Sequence, residues 1–289
     1  MAKRLTILDF FKKYPDEDTC LDHVMEVRYG KHFECPKCRK DSTFYRIKKR
    51  PAYACEFCGH HISPMAGTPF ERTRTPLQMW FYAIYLFTTT KHGVPAKELQ
   101  RQLGVTYKTA WRMGHEIRKH MAIVDGTPPM TGHVEVDETY VGGRRPKVKG
   151  FTGRGAKGKT IVFGILERDG ELYCKVVPTA GRKSLIPEIL KHVPKGTRIS
   201  SDEWMPYQVL TDLGYKHETV DHGSKEYARG DVHVNGLESF WSQFKNSVRG
   251  THKSISKKHM MKYLSEFEFR FNLRHLTSDQ MLDRLLKAF

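Results

Sequence analysis

The chain has 289 residues, 39% hydrophobic and 11% aromatic, enough for a full-sized core with one or two small modules and too apolar for a disordered tail. A formal charge of +17 and a pI near 9.6 set it apart from ordinary globular chains and call for a polyanionic partner, nucleic acid first. No apolar run reaches the length of a membrane span, Met79 to Phe87 being too short, and MAKRLTILDFFKK lacks a signal-peptide cleavage pattern, so an intracellular chain with no membrane partner is expected.

Residues 1–30 show helical spacing of Leu, Phe, Cys and Val from Leu5 to Arg28, interrupted around Pro15. Over residues 31–65, Cys35, Cys38, Cys55 and Cys58 form two C-x2-C pairs sixteen residues apart, the spacing of a four-thiolate zinc ribbon. Each pair aims two thiolates at one structural Zn²⁺, and a module this small has its fold set by the metal. His60 and His61 lie close enough to compete but are not needed, while Cys20 and Cys174 are expected as small buried apolar residues.

Residues 66–121 begin with an apolar helix over Leu77 to Thr89, with Thr75 expected as its cap and Pro76 at its first position. A short helix from Pro95 to Leu103, a turn at Gly104 and Val105, and a helix from Thr106 to His120 then make a helix-turn-helix pattern. Leu99, Leu103, Val105, Ala110, Trp111 and Ile117 are its expected inner residues, and Thr106, Tyr107, Lys108, Thr109 and Arg112 its expected DNA-reading residues. Gly- and Pro-rich residues 122–132 predict a linker.

From 133 to 250 the pattern changes to a strand HVEVDETYV, a hairpin of TIVFGILERDG and ELYCKVVPT with a Gly turn, a helix SLIPEILKHV, a strand TRISSDEW, a helix MPYQVLTDLG, a strand KHETVDH, and long helices. This order predicts an α/β layer with a mixed sheet, and it matches a ribonuclease-H-like core. The order of elements brings Asp137 of the first strand beside Asp202 at the end of the fourth. A helix from Asn235 places Asn235, Glu238, Ser242 and Lys245 on one stripe, with Leu237, Phe240, Trp241, Phe244 and Val248 on the apolar neighbouring stripe. Clustered carboxylates persist only if a cation neutralises them, and oxygen donors with room for water and phosphate suit Mg²⁺ or Mn²⁺. Two such ions support phosphoryl transfer on DNA.

Thirty-five residues separate Asp202 from Glu238, and Lys245 follows Glu238 by seven on the same helix face. With the zinc ribbon, the helix-turn-helix, VDETYVGG and FWSQFKNSVRGTHKSISKKH, nearly the whole chain resembles a zinc-ribbon insertion-sequence transposase of bacteria or archaea, within the Asp-Asp-Glu superfamily that includes retroviral integrases. The resemblance implies a catalytic set of Asp137, Asp202 and Glu238 holding Mg²⁺ or Mn²⁺, with Lys245 positioning the DNA end. It also implies binding of mobile-element ends and target DNA, a nucleoid-associated cytoplasmic setting and homo-oligomerisation on DNA, because two ends need more than one active site. Asn235, one turn before Glu238, stands as the alternative third ligand and His233 as a further one; Glu135 shares the strand parity of Asp137 and flanks the metal, whereas Glu138 and Glu203 point away.

Between the first two strands, Arg144, Arg145, Lys147, Lys149, Arg154, Lys157 and Lys159 occur without one acid, a pattern suited to phosphate contacts. Residues 251–289 are expected to form C-terminal helices, packed as core or as a subunit interface. Two other functions use the same parts: an inactive zinc-dependent DNA-binding regulator, and a nuclease without strand joining.

Overall fold

The computed structural model describes residues 5–124, 128–142, 158–224 and 226–289. The chain divides into two compact units, one of residues up to Val124 together with His275–Phe289, the other of Asp125–Arg274.

In the first unit, helices α1 (Ile7–Lys13) and α2 (Glu17–Tyr29) break around Pro15 as expected, and each opens on a side-chain cap, from Thr6 and Asp16. Strands β1 (His32–Glu34), β2 (Asp41–Arg46), β3 (Tyr53–Cys55) and β4 (His61–Ile62) pair antiparallel in chain order. Helix α3 (Leu77–Thr89) buries Trp80, Phe81, Ile84 and Phe87 completely. The expected cap at Thr75 is not made, and Pro76 occupies the cap position itself. Instead the N–H groups of Leu77 and Gln78 donate to the two oxygens of Glu17 at 2.6 and 2.8 Å. A carboxylate complements the positive end of a helix, so the first turn of α2 supplies the cap of α3.

Helix α4 (Ala96–Leu103) ends on Gly104 at φ +65°, and α5 (Tyr107–Val124) starts behind Thr106, whose hydroxyl accepts from the Thr109 N–H at 3.2 Å. Leu99, Leu103, Ala110 and Ile117 are buried as expected, but Trp111 is 37% exposed and stacks on His115 at 3.9 Å. Met113 and Arg118 fill the interior in its place, the Arg118 guanidinium donating to the Val94 carbonyl at 2.8 Å.

The second unit is built on a mixed sheet of β5 (His133–Val141), β6 (Thr160–Glu167), β7 (Leu172–Val177), β8 (Arg198–Asp202) and β9 (Lys216–Val220), in the order β7-β6-β5-β8-β9. The first three strands pair antiparallel, whereas β5 with β8 and β8 with β9 pair parallel. Parallel pairs need crossovers. Helix α6 (Arg182–His192) lies between β7 and β8 in the chain, and a 3₁₀ helix over Met205–Leu210 lies between β8 and β9. MPYQVLTDLG was expected as a helix, and its Met205–Leu210 part forms one of the 3₁₀ kind. Three residues per turn align Tyr207 with Leu210, and both are fully buried, so the tighter helix serves the core.

One sheet face packs Val134, Val136, Ile165 and Ile199 against Leu185, Ile186 and Ile189 of α6. The other packs Val162, Leu166 and Cys174 against α7 (Asn235–Ser247) and α8 (Met260–Asn272). Side chains of α8 also bond the backbone of edge strand β7, Asn272 to both groups of Leu172 at 2.8 Å and Glu268 to the Cys174 N–H at 3.1 Å. An edge covered in this way no longer templates another strand. Helix α9 (Ser278–Ala288) belongs to the first unit, packing with α2, α3 and α5. Residues 251–289, expected as one segment, are therefore divided between the units.

Candidate active site and metal centre

The four cysteines come together. Cys35 and Cys38 sit at the turn between β1 and β2, Cys55 and Cys58 at the turn between β3 and β4, and all four ligand atoms lie within 4.8 Å of one another. The sulfurs of Cys35 and Cys58 are 3.7 Å apart and those of Cys38 and Cys55 3.8 Å. A tetrahedral ion with bonds of about 2.3 Å sets its sulfurs about 3.8 Å apart, which is the spacing of a structural zinc site. The two turns repeat one backbone device: the N–H of Arg39 donates to the Cys35 carbonyl and that of Gly59 to the Cys55 carbonyl, with φ of +60° and +65°. His60 and His61 stand outside the group.

The candidate active site lies at the middle of β5 and the C-terminal end of β8. Continuing their parallel register two residues beyond Glu135↔Ser200 sets Asp137 opposite Asp202. Burial, with the Glu138 and Asp202 charges, pushes the Asp137 carboxyl up to about 8. Glu138 points to the α6 face, as strand alternation requires, where it accepts from the Tyr207 hydroxyl at 2.6 Å. It nevertheless stays within electrostatic reach of Asp202, and burial together with that charge raises it to about 7. Asp202 is itself raised by burial and by Glu203 and Glu238, opposed by the Trp204 N–H that donates to it at 3.1 Å and by His222.

Helix α7 supplies the other side. Leu237, Phe240, Trp241, Phe244 and the following Val248 are buried in the core as their stripe predicts, and Asn235, Glu238 and Ser242 are exposed. Glu238 Oε1 lies 3.9 Å from His222 Nδ1, while Asn235 is the first helical residue, one turn earlier. The Trp241 indole, expected only as core, donates to Asp137 Oδ2 at 2.9 Å. One turn further on, half-buried Lys245 is held down by burial and drawn back up by the charge of Asp137. Close packing against the sheet depends on Gly164, where a Cβ would lie 2.6 Å from the Trp241 ring. Among the described residues only the thiolates form a group of three or more metal-ligating side chains within 4.8 Å, so the acids are set less tightly than the cysteines.

Two residues near this site have structural work. Glu135, expected to flank the metal, is 1% exposed and consumed by neighbours: Arg168 Nε donates to it at 2.9 Å, the Leu237 N–H at 3.1 Å, and His233 Nδ1 lies at 3.2 Å. It thus caps α7, and Gly236 is needed there because a Cβ would meet Glu135 Oε2 at 2.8 Å. Arg168 also binds the carbonyls of Asp231 and His233, at 2.5 and 3.0 Å, and so fixes the chain that leads into α7. His233, the further choice of ligand, is tied into this network. A neutral His133, its protonation disfavoured by burial and by Arg168, accepts from that guanidinium at Nδ1 (3.0 Å) and bonds Ser200 from Nε2 (2.8 Å). Neither Arg168 nor His133 carried a signal in the sequence, because their partners are remote in the chain.

On α5 and its cap, Thr106, Tyr107, Lys108 and Arg112 are exposed and Thr109 is half-buried, with the Arg112 guanidinium 5.3 Å from the Trp80 ring centre. Of the loop cations only Lys159 is described, and it acts on the charge of Lys245; Arg144, Arg145, Lys147, Lys149, Arg154 and Lys157 lie outside the described residues. No helix among the described residues is long and apolar enough to cross a membrane.

Comparison with known proteins adds two family matches, a transposase zinc-ribbon domain over residues 15–61 and an ISXO2-like transposase domain over 129–272. The chain is 28% identical, over 96% of its own length and 98% of the relative's, to an uncharacterized protein in the transposable element ISH50 of Halobacterium salinarum. It is 30% identical to an uncharacterized transposase-like protein of Haemophilus influenzae, over 41% of this chain and 95% of that one. The chain belongs to the ISXO2-like transposase family. In this family member the matched transposase domain closes on the last residue of α8, so it holds the acids, the Glu135–Arg168 network and the helix that covers β7. The α4–α5 pair lies between the two matched stretches.

Proposed function

We propose that this family member is an active DNA transposase, which binds the ends of a mobile element, cleaves a phosphodiester at each and joins the freed 3′ hydroxyl to target DNA. The observation that carries the reading is the convergence of Asp137, inside β5, with Asp202, at the end of neighbouring β8, with Lys245 of α7 acting on the Asp137 carboxylate. The sheet order, an antiparallel hairpin array extended by two parallel strands, supports a ribonuclease-H-like core.

The donor set fits a hard divalent cation. Asp137, Glu138 and Asp202 are all driven toward the protonated form, and none has an ion pair within 4 Å among the described residues. Asp137 and Asp202 would hold Mg²⁺ or Mn²⁺, with Glu238 as third ligand and Asn235 as its alternative, a carboxylate binding such ions better than an amide. When bound, two such ions would activate the attacking water or hydroxyl and stabilise the departing oxygen. Trp241 and the Trp204 N–H hold the two aspartates in place, and Lys245 takes a phosphate oxygen of the DNA end. Thr106, Tyr107, Lys108, Thr109 and Arg112 read the element end from a helix-turn-helix, and a second copy of the chain supplies the second active site.

The raised carboxyls give this reading a pH dependence of defined sign. Their folded values of about 8 and about 7 lie above the roughly 4 of an unfolded chain, so the metal-free protein keeps protons that the unfolded chain has released. The stability they contribute is fully present below about pH 4 and is lost as pH rises through about 7 to 8. A metal ion displaces that proton, so Mn²⁺ binding tightens about tenfold per pH unit between roughly pH 6 and 8. Paramagnetic resonance of free Mn²⁺ measures it. Binding lost in Asp137→Asn and Asp202→Asn supports the site, and comparison of Glu238→Gln with Asn235→Ala identifies the third ligand. A flat pH profile, or wild-type binding in Asp202→Asn, contradicts it.

A further inference from the structure

The 27 residues between Glu238 and Glu266 hold Lys245, Arg249, Lys253, Lys257, Lys258 and Lys262 and no acid. Helix α7 runs into a π-helical turn over Val248–His252, then a left-handed Lys253 at φ +65°, a 3₁₀ turn over Lys257–His259, and α8. Val248, Met260 and Leu264 are buried in the core beneath the sheet, and Ile255 packs against it. Residues pinned inward at these intervals turn the cations between them outward, and Arg249, Lys253, Lys257 and Lys258 are exposed. The His252 ring against Tyr263, 4.8 Å between centres, closes the π turn onto α8.

Charge neighbours place these cations close together at each end of the segment. Arg249 and Lys159 act on Lys245 at one end, and Lys258 and Lys262 act on His259 at the other. None of the six has a carboxylate within 4 Å among the described residues, whereas other cations of the same unit do: Lys175 with Glu188, Arg198 with Glu218, Arg270 with Glu266. Uncompensated like charges on one strip repel each other unless a polyanion lies along them.

We infer that the strip from Lys245 through the π turn to Lys262 is a track for the phosphate backbone of duplex DNA, leading the substrate away from the candidate active site. It rests on the transposase reading and adds a surface of which neither the helix-turn-helix nor the loop before β6 is part. Glycine-free except for Gly250 and anchored by core residues, the track is a fixed rail.

The test is fluorescence anisotropy of a labelled 30-base-pair duplex on the full chain without divalent metal, across a salt series, beside a single strand of the same length. In Lys253→Gln/Lys257→Gln/Lys258→Gln/Lys262→Gln the slope of log affinity against log salt should fall by about 3 to 4, with affinity about tenfold or more lower near 0.1 M salt. A control with Arg182, Lys183, Lys191 and Lys195 all changed to Gln, on and after α6 at the opposite sheet face, should lose less than about 1 of slope. Lys257→Gln/Lys258→Gln alone should show half the effect, which guards against misfolding of the fourfold variant. An unchanged duplex slope, an equal loss in the control, or a loss confined to the single strand overturns the track. Failure of the wider reading looks different: the wild type then gives no Mn²⁺-dependent nicked or joined plasmid, whatever its salt slope.

Discussion

Stripping zinc, by a chelator or by Cys38→Ser, unfolds the ribbon over residues 31–62 while the transposase domain stays folded. The ribbon has almost no core of its own: beyond Cys35 and Cys55, buried side chains are limited to Ser42, Phe44 and Tyr53, and Phe44 stacks on Phe33 at 4.4 Å. Metal binding of about 10–16 kcal/mol in such modules is their folding free energy. The mixed sheet keeps its two apolar faces and should hold its hydrogen-exchange protection unchanged. One zinc per chain, lost together with protection in β2 and β3, is the expected result; a ribbon that stays protected without zinc contradicts it.

Arg168→Met strands a buried charge. Glu135 loses its only arginine partner among the described residues while remaining almost wholly out of water, and the 231–233 segment loses two carbonyl bonds. Breaking a buried pair on one side costs about 3–5 kcal/mol. In a domain of this size that lowers the melting temperature by roughly 6–20 °C. The double variant Glu135→Gln/Arg168→Met should recover part of the loss, because the unpaired charge is gone. Equal melting of the single variant and the wild type would show that the pair does not hold α7.

What the sequence made legible here was local. HVEVDETYV alternates and folds as one strand with the register that alternation implies, and the cysteine spacing fixes its own geometry. The apolar stripe of α7 packs as its period requires. What stayed hidden involves partners far apart in the chain. Glu17 caps a helix sixty residues away, a role Thr75 appeared to fill locally. Glu135 differs from Asp137 by two positions on one strand face, yet Arg168 and the start of α7 take it up, and only the fold brings those together. Trp111 satisfies helical periodicity, but the interior beneath it is filled by Met113 and by Arg118, an unusual core residue that no pattern based on apolar side chains selects. Residues 260–288 share one helical pattern, and their division between two units depends on what each helix meets.

The central claim, that Asp137 and Asp202 form a metal-dependent phosphoryl-transfer centre, is tested most directly on supercoiled plasmid with Mn²⁺, wild type against Asp202→Asn, since it needs no knowledge of the element ends. Nicked and joined products from the wild type, reduced by about a thousandfold or more in the variant while DNA binding is retained, is the result predicted for an electrostatically built centre of this kind. Nicking without joined products would make the chain a nuclease, and equal activity in Asp202→Asn would contradict the account outright.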